Sequence, residues 1–423
     1  MSRRIVIAAV LGFALAPVVA AAPPALGQLP DPGSSQSGAD AVRSPVLPLP
    51  PGRVASPQGP AANPLSANIP PPIRDLDGPT VGAPAAYWGE FEWLLWATTG
   101  EHLPPLATVT PSAAGSAGVA IGDTRLGGGD RSGFRTRAGL WLSDHQTIGI
   151  EAEFYFVGQV SHDLAAGPSS TDTITRPFVN ATTGSPGAFV VSAPGVASGS
   201  VTGTLTSFVY GAGIHGLLNL DSSTNGRVDL IIGYRFLDLT DQLTLNTSSV
   251  GLTNQPGLPA GSRLQIADQG RTENVFQGAR FGLAGEQQLG MWSISGRGSL
   301  ALGFTSQATR LEGDRLLTNP GGGEVALPGG FLSPAPATQP PQRTLFAVMP
   351  ELGIRGGLQL TPCVRAFAGY DVIYLSSVAR AGDAVNLTAL PATSTAAPSP
   401  IIPTTHGSAF WMQGVSLGVE LRF

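Results

Sequence analysis

From Tyr87 to Phe423, apolar and polar residues alternate in long runs separated by segments rich in Gly, Pro, Ser and Thr. The last run is the clearest. Phe423, Leu421, Val419, Leu417, Val415 and Trp411 share one parity, while Arg422, Glu420, Gly418, Ser416 and Gly414 hold the other. A period of two predicts a β-strand with one apolar and one polar face. The run exceeds the roughly 9–11 residues that a tilted strand needs to cross a bilayer. Left unpaired in water, so apolar an edge would aggregate. The terminal run therefore needs a partner strand on each side.

The same alternation predicts nine earlier strands, near 87–96, 131–142, 147–157, 201–218, 227–245, 272–285, 291–305, 343–360 and 364–378. Their connections fall into two classes. Those at 143–146, 219–226, 286–290 and 361–363 are short, and Asn225-Gly226 is a strong tight-turn signal. Those at 97–130, 159–200, 246–271, 306–342 and 379–408 are long. Short and long connections alternate strictly along the chain. Short periplasmic turns, long outer loops and an even strand number are the marks of an outer-membrane barrel. The expected fold is all-β, a transmembrane antiparallel up-and-down barrel of about ten strands with both termini periplasmic. The number becomes twelve if a long connection contains a further hairpin.

Composition supports this picture and extends it. Only 12% of the residues are charged, all 23 basic ones are Arg, and 56 Gly with 38 Pro argue against a helical protein. A net charge of −5 leaves no basic footprint for nucleic acid. The single Cys363 excludes an intrachain disulfide and a cysteine-rich metal site. Arg3-Arg4 followed by the apolar run 5–20 predicts a secretory signal over residues 1–22, with cleavage near 20–27. Residues 23–85 are a Pro/Ala/Gly/Ser-rich stretch too poor in apolar side chains to fold, and they predict a disordered spacer. The barrel then occupies 86–423.

Candidate chemistry sits on the face opposite the apolar one. Parity assigns to a narrow lumen the charges of Glu90, Glu92, Arg135, Arg137, Glu151, Glu153, Asp229, Arg235, Arg280, Arg297, Glu351, Arg355, Arg365, Asp371, Glu420 and Arg422. Charges of both signs in so small a space predict either a plug of ion pairs or an arginine-lined solute path. Trp88, Trp96, Trp141, Trp292, Trp411 and Phe423 lie near strand ends, where aromatic side chains anchor a barrel at the two membrane interfaces. No pair of histidines has metal-ligand spacing, so no metal or cofactor is expected. His162 beside Asp163 is the nearest approach to a catalytic pair, and it reads as solvated loop residues. The glycine runs 127–129 and 321–323 lack the strand, helix and Lys of a phosphate loop.

Several ordered motifs carry a family resemblance. They are Glu92-Trp-Leu-Leu-Trp96 with Leu103-Pro-Pro-Leu106, Gly133-Phe-Arg135, Gly139-Leu-Trp-Leu142 and Ile148-Gly-Ile-Glu151. Further along come Arg176-Pro-Phe178, Asn274 with Gln277-Gly278, Ala301-Leu-Gly303 and Met349-Pro-Glu-Leu-Gly353. Phe367-Ala-Gly-Tyr-Asp371, Tyr374, Ser377-Val-Ala-Arg380, Trp411-Met-Gln-Gly414 and the final Phe423 complete the series. From about residue 87 to 423 the chain resembles the outer-membrane β-barrel porin family abundant in planctomycetes. The resemblance implies an outer-membrane barrel, in contact with lipid, and the terminal strand ending on Phe423 looks like the one such proteins present to the barrel-insertion machinery. It brings no catalytic residues. The expected function is non-enzymatic: a passive narrow pore for small hydrophilic solutes or ions, or a structural envelope barrel. The alternative is surface recognition or adhesion by the long outer loops. A monomer is favoured by analogy.

Overall fold

The computed structural model describes residues 86–111, 116–180, 183–332, 342–385, 387–389 and 407–423. The predicted signal and the Pro-rich spacer lie outside the described residues. Ten strands form the wall: β1 (Tyr87–Thr98), β2 (Gly129–Trp141), β3 (Ile148–Ala166), β4 (Ala197–Ser222), β5 (Gly226–Gly251), β6 (Arg263–Leu289), β7 (Trp292–Thr318), β8 (Gln342–Thr361), β9 (Val364–Val378) and β10 (Ser408–Arg422). Each pairs antiparallel with its sequence neighbours, and β10 pairs with β1 from Trp88↔Arg422 to Thr98↔Met412. The sheet is thereby closed, and the terminal strand is paired along both edges. One extra strand, Glu324–Pro328, adds to the far end of β7.

The predicted strand number and order hold; the long connections are where the structure differs. β5 runs on to Gly251 and β6 begins at Arg263, so the expected loop 246–271 shrinks to residues 252–262. The alternation faded there because the outward positions become Thr244, Asn246 and Ser248, a face suited to water rather than lipid. The connection between β3 and β4 does contain a hairpin, Thr173–Asn180 with Pro186–Ser192. That hairpin joins a separate small sheet with Ala107–Thr110, Gly118–Ile121 and Thr388–Ala389, so the wall stays at ten strands rather than twelve.

Seen from outside, the barrel is an inverted globular protein. Every strand places exposed apolar side chains outward, among them Phe91, Ile150, Ile214, Ile232, Phe281, Leu300, Ile354, Tyr370 and Leu417. Such a band around the circumference is stable only against lipid. On one side of the girth, ring contacts chain Phe91, Phe134, Phe156, Phe208, Tyr210 and Phe236 across β1 to β5. Beyond this girdle, towards the long connections, β4 to β7 continue with polar outward residues. At about 3.3 Å per residue, the stretch Asp238–Gly251 carries the wall on the order of 40 Å along its own axis.

Candidate functional site

The inner face is stacked in layers. Nearest Tyr87 and Phe423 lies a lattice of ions; above it come two apolar layers, the upper one shared with the long connections. Each charged residue assigned to the lumen by parity has its side chain on the inner face.

The ions alternate in sign and cross the lumen. Arg135 bonds Glu92 and Asp371, each at 2.6 Å, linking β2 to β1 and β9. Arg137 reaches Glu153 at 2.5 Å, its register partner on β3, and Glu90 at 2.9 Å. Arg355 of β8 reaches across to Glu90 and Glu92 of β1. Arg235 joins Glu153 to Glu351, and Arg280 meets Glu351 at 2.8 Å. Glu151 accepts from Arg297 at 2.6 Å, from the Trp88 indole at 3.0 Å, and pairs with His215 at 3.1 Å. The carboxylates of Glu90, Glu92, Glu151, Glu153, Glu351 and Asp371 thus face the six guanidiniums of Arg135, Arg137, Arg235, Arg280, Arg297 and Arg355. Arg365, Arg422, Glu286 and Glu420 form a second group at the terminal end, and Arg227 pairs with Asp229. Buried charges must be paired and hydrogen-bonded to persist, and these are.

Three of the predicted interface aromatics sit elsewhere. Trp88, Trp96 and Trp141 face inward: Trp88 touches Trp141, Trp96 touches Tyr155, and Arg227 lies 4.2 Å over the Trp141 ring. Their strand parity is that of Glu90, Glu92, Arg135 and Arg137, so alternation already required this. Strand-end position alone was the weaker signal. Space comes from glycine: a Cβ on Gly139 would fall 2.1 Å from the Trp88 ring, and Gly414 lies against Trp96. Trp292, Trp411 and Phe423 do face outward, while the girdle on the loop side is built of Phe and Tyr.

Above the ions, Leu94, Trp96, Tyr155, Leu237, Phe276, Met349, Phe410 and Met412 close into one buried apolar layer. Higher still, Leu205, Leu243, Leu245 and Ile266 of the wall pack against Leu103, Leu106, Ile174, Phe189 and Phe331 of the long connections. These connections fold into the barrel mouth rather than standing free. Wall side chains hold them there. Asp268 of β6 accepts from Arg176 at 2.8 Å and from the Phe331 and Leu332 N–H groups at 2.6 and 2.9 Å. Asn274 accepts from the Ala379 N–H at 2.6 Å and donates to its carbonyl at 2.8 Å. Asp241 of β5 binds Arg380 at 2.6 Å.

Glu101 completes this anchor by accepting from the Gly382 N–H. Burial, with the adjacent Asp241 charge, raises its carboxyl to about 8 against the pull of Arg380. Arg176, Asn274 and Arg380 stand in the sequence only as parts of the family motifs, with no role attached. Glu101 and Asp268 fall in predicted connections, where parity assigns no face, and Asp241 lies on a predicted strand but carries no motif.

The histidines assemble no catalytic group among the described residues. His162 turns inward to the Gly128 carbonyl at 3.1 Å, while Asp163, next to it on the same strand, turns to the other face. His102 and Asp123 approach to 3.8 Å on the surface. Among the described residues, no three His, Cys, Asp or Glu side chains group as a metal site.

Solved structures with a related outline include the Escherichia coli outer membrane protease OmpT, at 10% identity over 81% of this chain and 98% of that chain, TM-score 0.40. The translocator domain of the autotransporter NalP from Neisseria meningitidis matches at 11% identity over 80% and 89%, TM-score 0.24. A FadL homologue from Pseudomonas aeruginosa matches at 7% identity over 80% and 90%, TM-score 0.23. No curated protein matches the chain in sequence. The family model "Putative beta barrel porin-7 (BBP7)" matches residues 88–423, the whole of the closed wall from its first strand to its last. The chain is an outer-membrane β-barrel protein and belongs to the BBP7 family.

Proposed function

We propose that this protein is a closed, structural barrel of the outer membrane whose lumen is filled rather than open. The observation that supports this reading is the stack of packed layers: an ion lattice bonded across the lumen, an apolar layer whose Trp96, Tyr155, Phe276 and Met412 are fully buried, and a mouth filled by folded connections. A water-filled path would leave inner charges hydrated and unpaired, whereas here they satisfy one another. With short turns and both ends of the wall, Tyr87 and Phe423, on one side, that side belongs in the periplasm and the filled mouth outside. The exported chain then needs only lipid and the insertion machinery as partners, and its role is non-enzymatic.

Single-channel recording of the refolded, full-length mature protein in a planar bilayer tests this. The expected record is silent, or carries only rare brief openings. Steady ion-selective conductance in the wild-type protein would overturn the closed-barrel reading and restore a narrow pore lined by Arg235 and Arg355.

A second reading is favoured by the order of the mouth. Connections tied down by Asp268, Asn274 and Asp241 present a fixed outer surface, which suits recognition better than loose loops do. Replacing the hairpin 173–192 by a short Gly/Ser link should then abolish a cell-surface binding phenotype while leaving the wall folded.

A further inference from the structure

On the outside of the wall, β4 to β6 form a recess of about 350 Å³. Its lining includes Phe208, Tyr210, Asp238, Gln242, Arg271 and Glu273. Register places all of these on the outward face, since Tyr210 pairs with Asp238, Thr240 with Phe208 and Glu273, and Gln242 with Arg271. The recess therefore opens to the surroundings and not to the lumen. Its floor rests on the aromatic girdle, where Phe208 touches Phe156 and Tyr210, and Tyr210 touches Phe236. Directly below begin the lipid-facing residues Ile214, Tyr234 and Phe281; directly above lies the polar wall with Thr204, Thr244 and Gln269. The recess occupies the boundary between acyl chains and water.

We propose that this recess binds the saccharide headgroup of an outer-leaflet glycolipid. Asp238 is the telling residue. It is only 7% exposed although it points away from the barrel, its Oδ1 accepts from the Thr240 hydroxyl at 3.1 Å, and it makes no salt bridge among the described residues. A carboxylate held this way is an acceptor for hydroxyl donors of a neutral ligand. Glu273 adds a second acceptor, Gln242 both donor and acceptor, and Arg271 a donor fork. Tyr210 and Phe208 offer ring surface to the C–H face of a sugar. Two carboxylates against one guanidinium disfavour a phosphate as the group bound in the recess itself. Acyl chains attached to the sugar would continue down the apolar face past Ile214 and Phe281, which gives a lipid-anchored sugar an advantage over a free one.

The inference rests on the reading of the apolar band as lipid-facing and of the loop end as the outer-leaflet side. Its test uses the full-length mature protein in nanodiscs of phosphatidylethanolamine, with and without a lipid A-bearing glycolipid, and with the free glucosamine disaccharide. Native mass spectrometry reads the molecules retained. Arg271→Ala alters an exposed outward position and Glu273→Gln a half-buried outward one, neither part of the inner packing, and Asp238→Asn probes the buried acceptor. Retention of glycolipid, reduced about tenfold in the variants, is the expected result; about 1.4 kcal/mol corresponds to that factor. Equal binding of the free disaccharide would overturn the lipid anchoring. Retention unchanged in all three variants, or none in the wild type, would overturn the site. Nanodisc binding does not depend on conductance or on which end faces out. An epitope tag at residues 252–262, probed on intact cells, tests that orientation separately.

Discussion

At the scale of single residues, the interior is governed by one rule: a buried charge survives where its partners are in place. Asp268 illustrates the cost of breaking that rule. Replacing it by Ala leaves Arg176 buried beneath Phe331 with its carboxylate gone and two backbone N–H groups unanswered. Loss of one partner of a buried pair costs roughly 3–5 kcal/mol. The Asp268→Ala barrel should still fold, because no wall hydrogen bond is lost, but its 173–192 hairpin should become sensitive to limited proteolysis. Equal resistance in variant and wild type would contradict the anchoring role.

Glu101 makes a pH prediction with a definite sign. Its folded value of about 8 lies above the ordinary 4.5, so the folded mouth keeps the proton that an undocked segment releases. Docking is therefore insensitive to pH below about 4.5, weakens as pH rises from 4.5 towards 8, and levels off above. The protection factor of the Gly382 amide in hydrogen exchange should fall across that window. Glu101→Gln should flatten the dependence.

At the scale of elements, the strands were legible and their company less so. Parity along 87–96 separated Phe91, Trp93 and Leu95 from Glu90 and Glu92, and the structure keeps those faces apart. The same parity put Trp88 and Trp96 among the charges, where position at a strand end suggested the membrane surface. Large inner rings need bare backbone opposite them, and the cross-strand pairs Trp88↔Gly139 and Trp96↔Gly414 meet that need. Gly139→Val should therefore be destabilising by about 1–3 kcal/mol through overpacking. A lowered midpoint in urea unfolding, read by tryptophan fluorescence, would report it; an unchanged midpoint would mean that the Trp88 ring relocates freely. Beyond the lipid, the outward face of β5 and β6 turns polar, so period-two contrast vanishes and the sequence pattern there is that of a loop although the backbone continues as a strand pair.

At the scale of the whole molecule, closure and filling are separate properties. Pairing of β1 with β10 makes the ring, and ten strands make it narrow enough for Arg297 of β7 to reach Glu151 of β3. Filling comes first from the wall's own side chains, the apolar layer around Trp96 and Phe276, and then from the long connections, whose apolar residues cover the inner faces of Leu205, Leu243 and Ile266. If those two layers close the lumen, removing the hairpin 173–192 alone should leave a bilayer recording silent, because the apolar layer around Trp96 and Phe276 remains beneath it. Conductance after that single deletion would assign the seal to the mouth alone.

The sequence by itself determined what is local: alternation names the strands, turn chemistry separates short from long connections, and parity sends charges inward and apolar side chains towards lipid. Which carboxylate meets which guanidinium across the lumen, and which wall residue anchors which connection, were decided only by the tertiary structure. The physical reason is that alternation repeats every two residues and carries no memory of distant partners. Cross-lumen distances follow from the summed register of all ten strands, and docking of the connections depends on the cavity that this register creates.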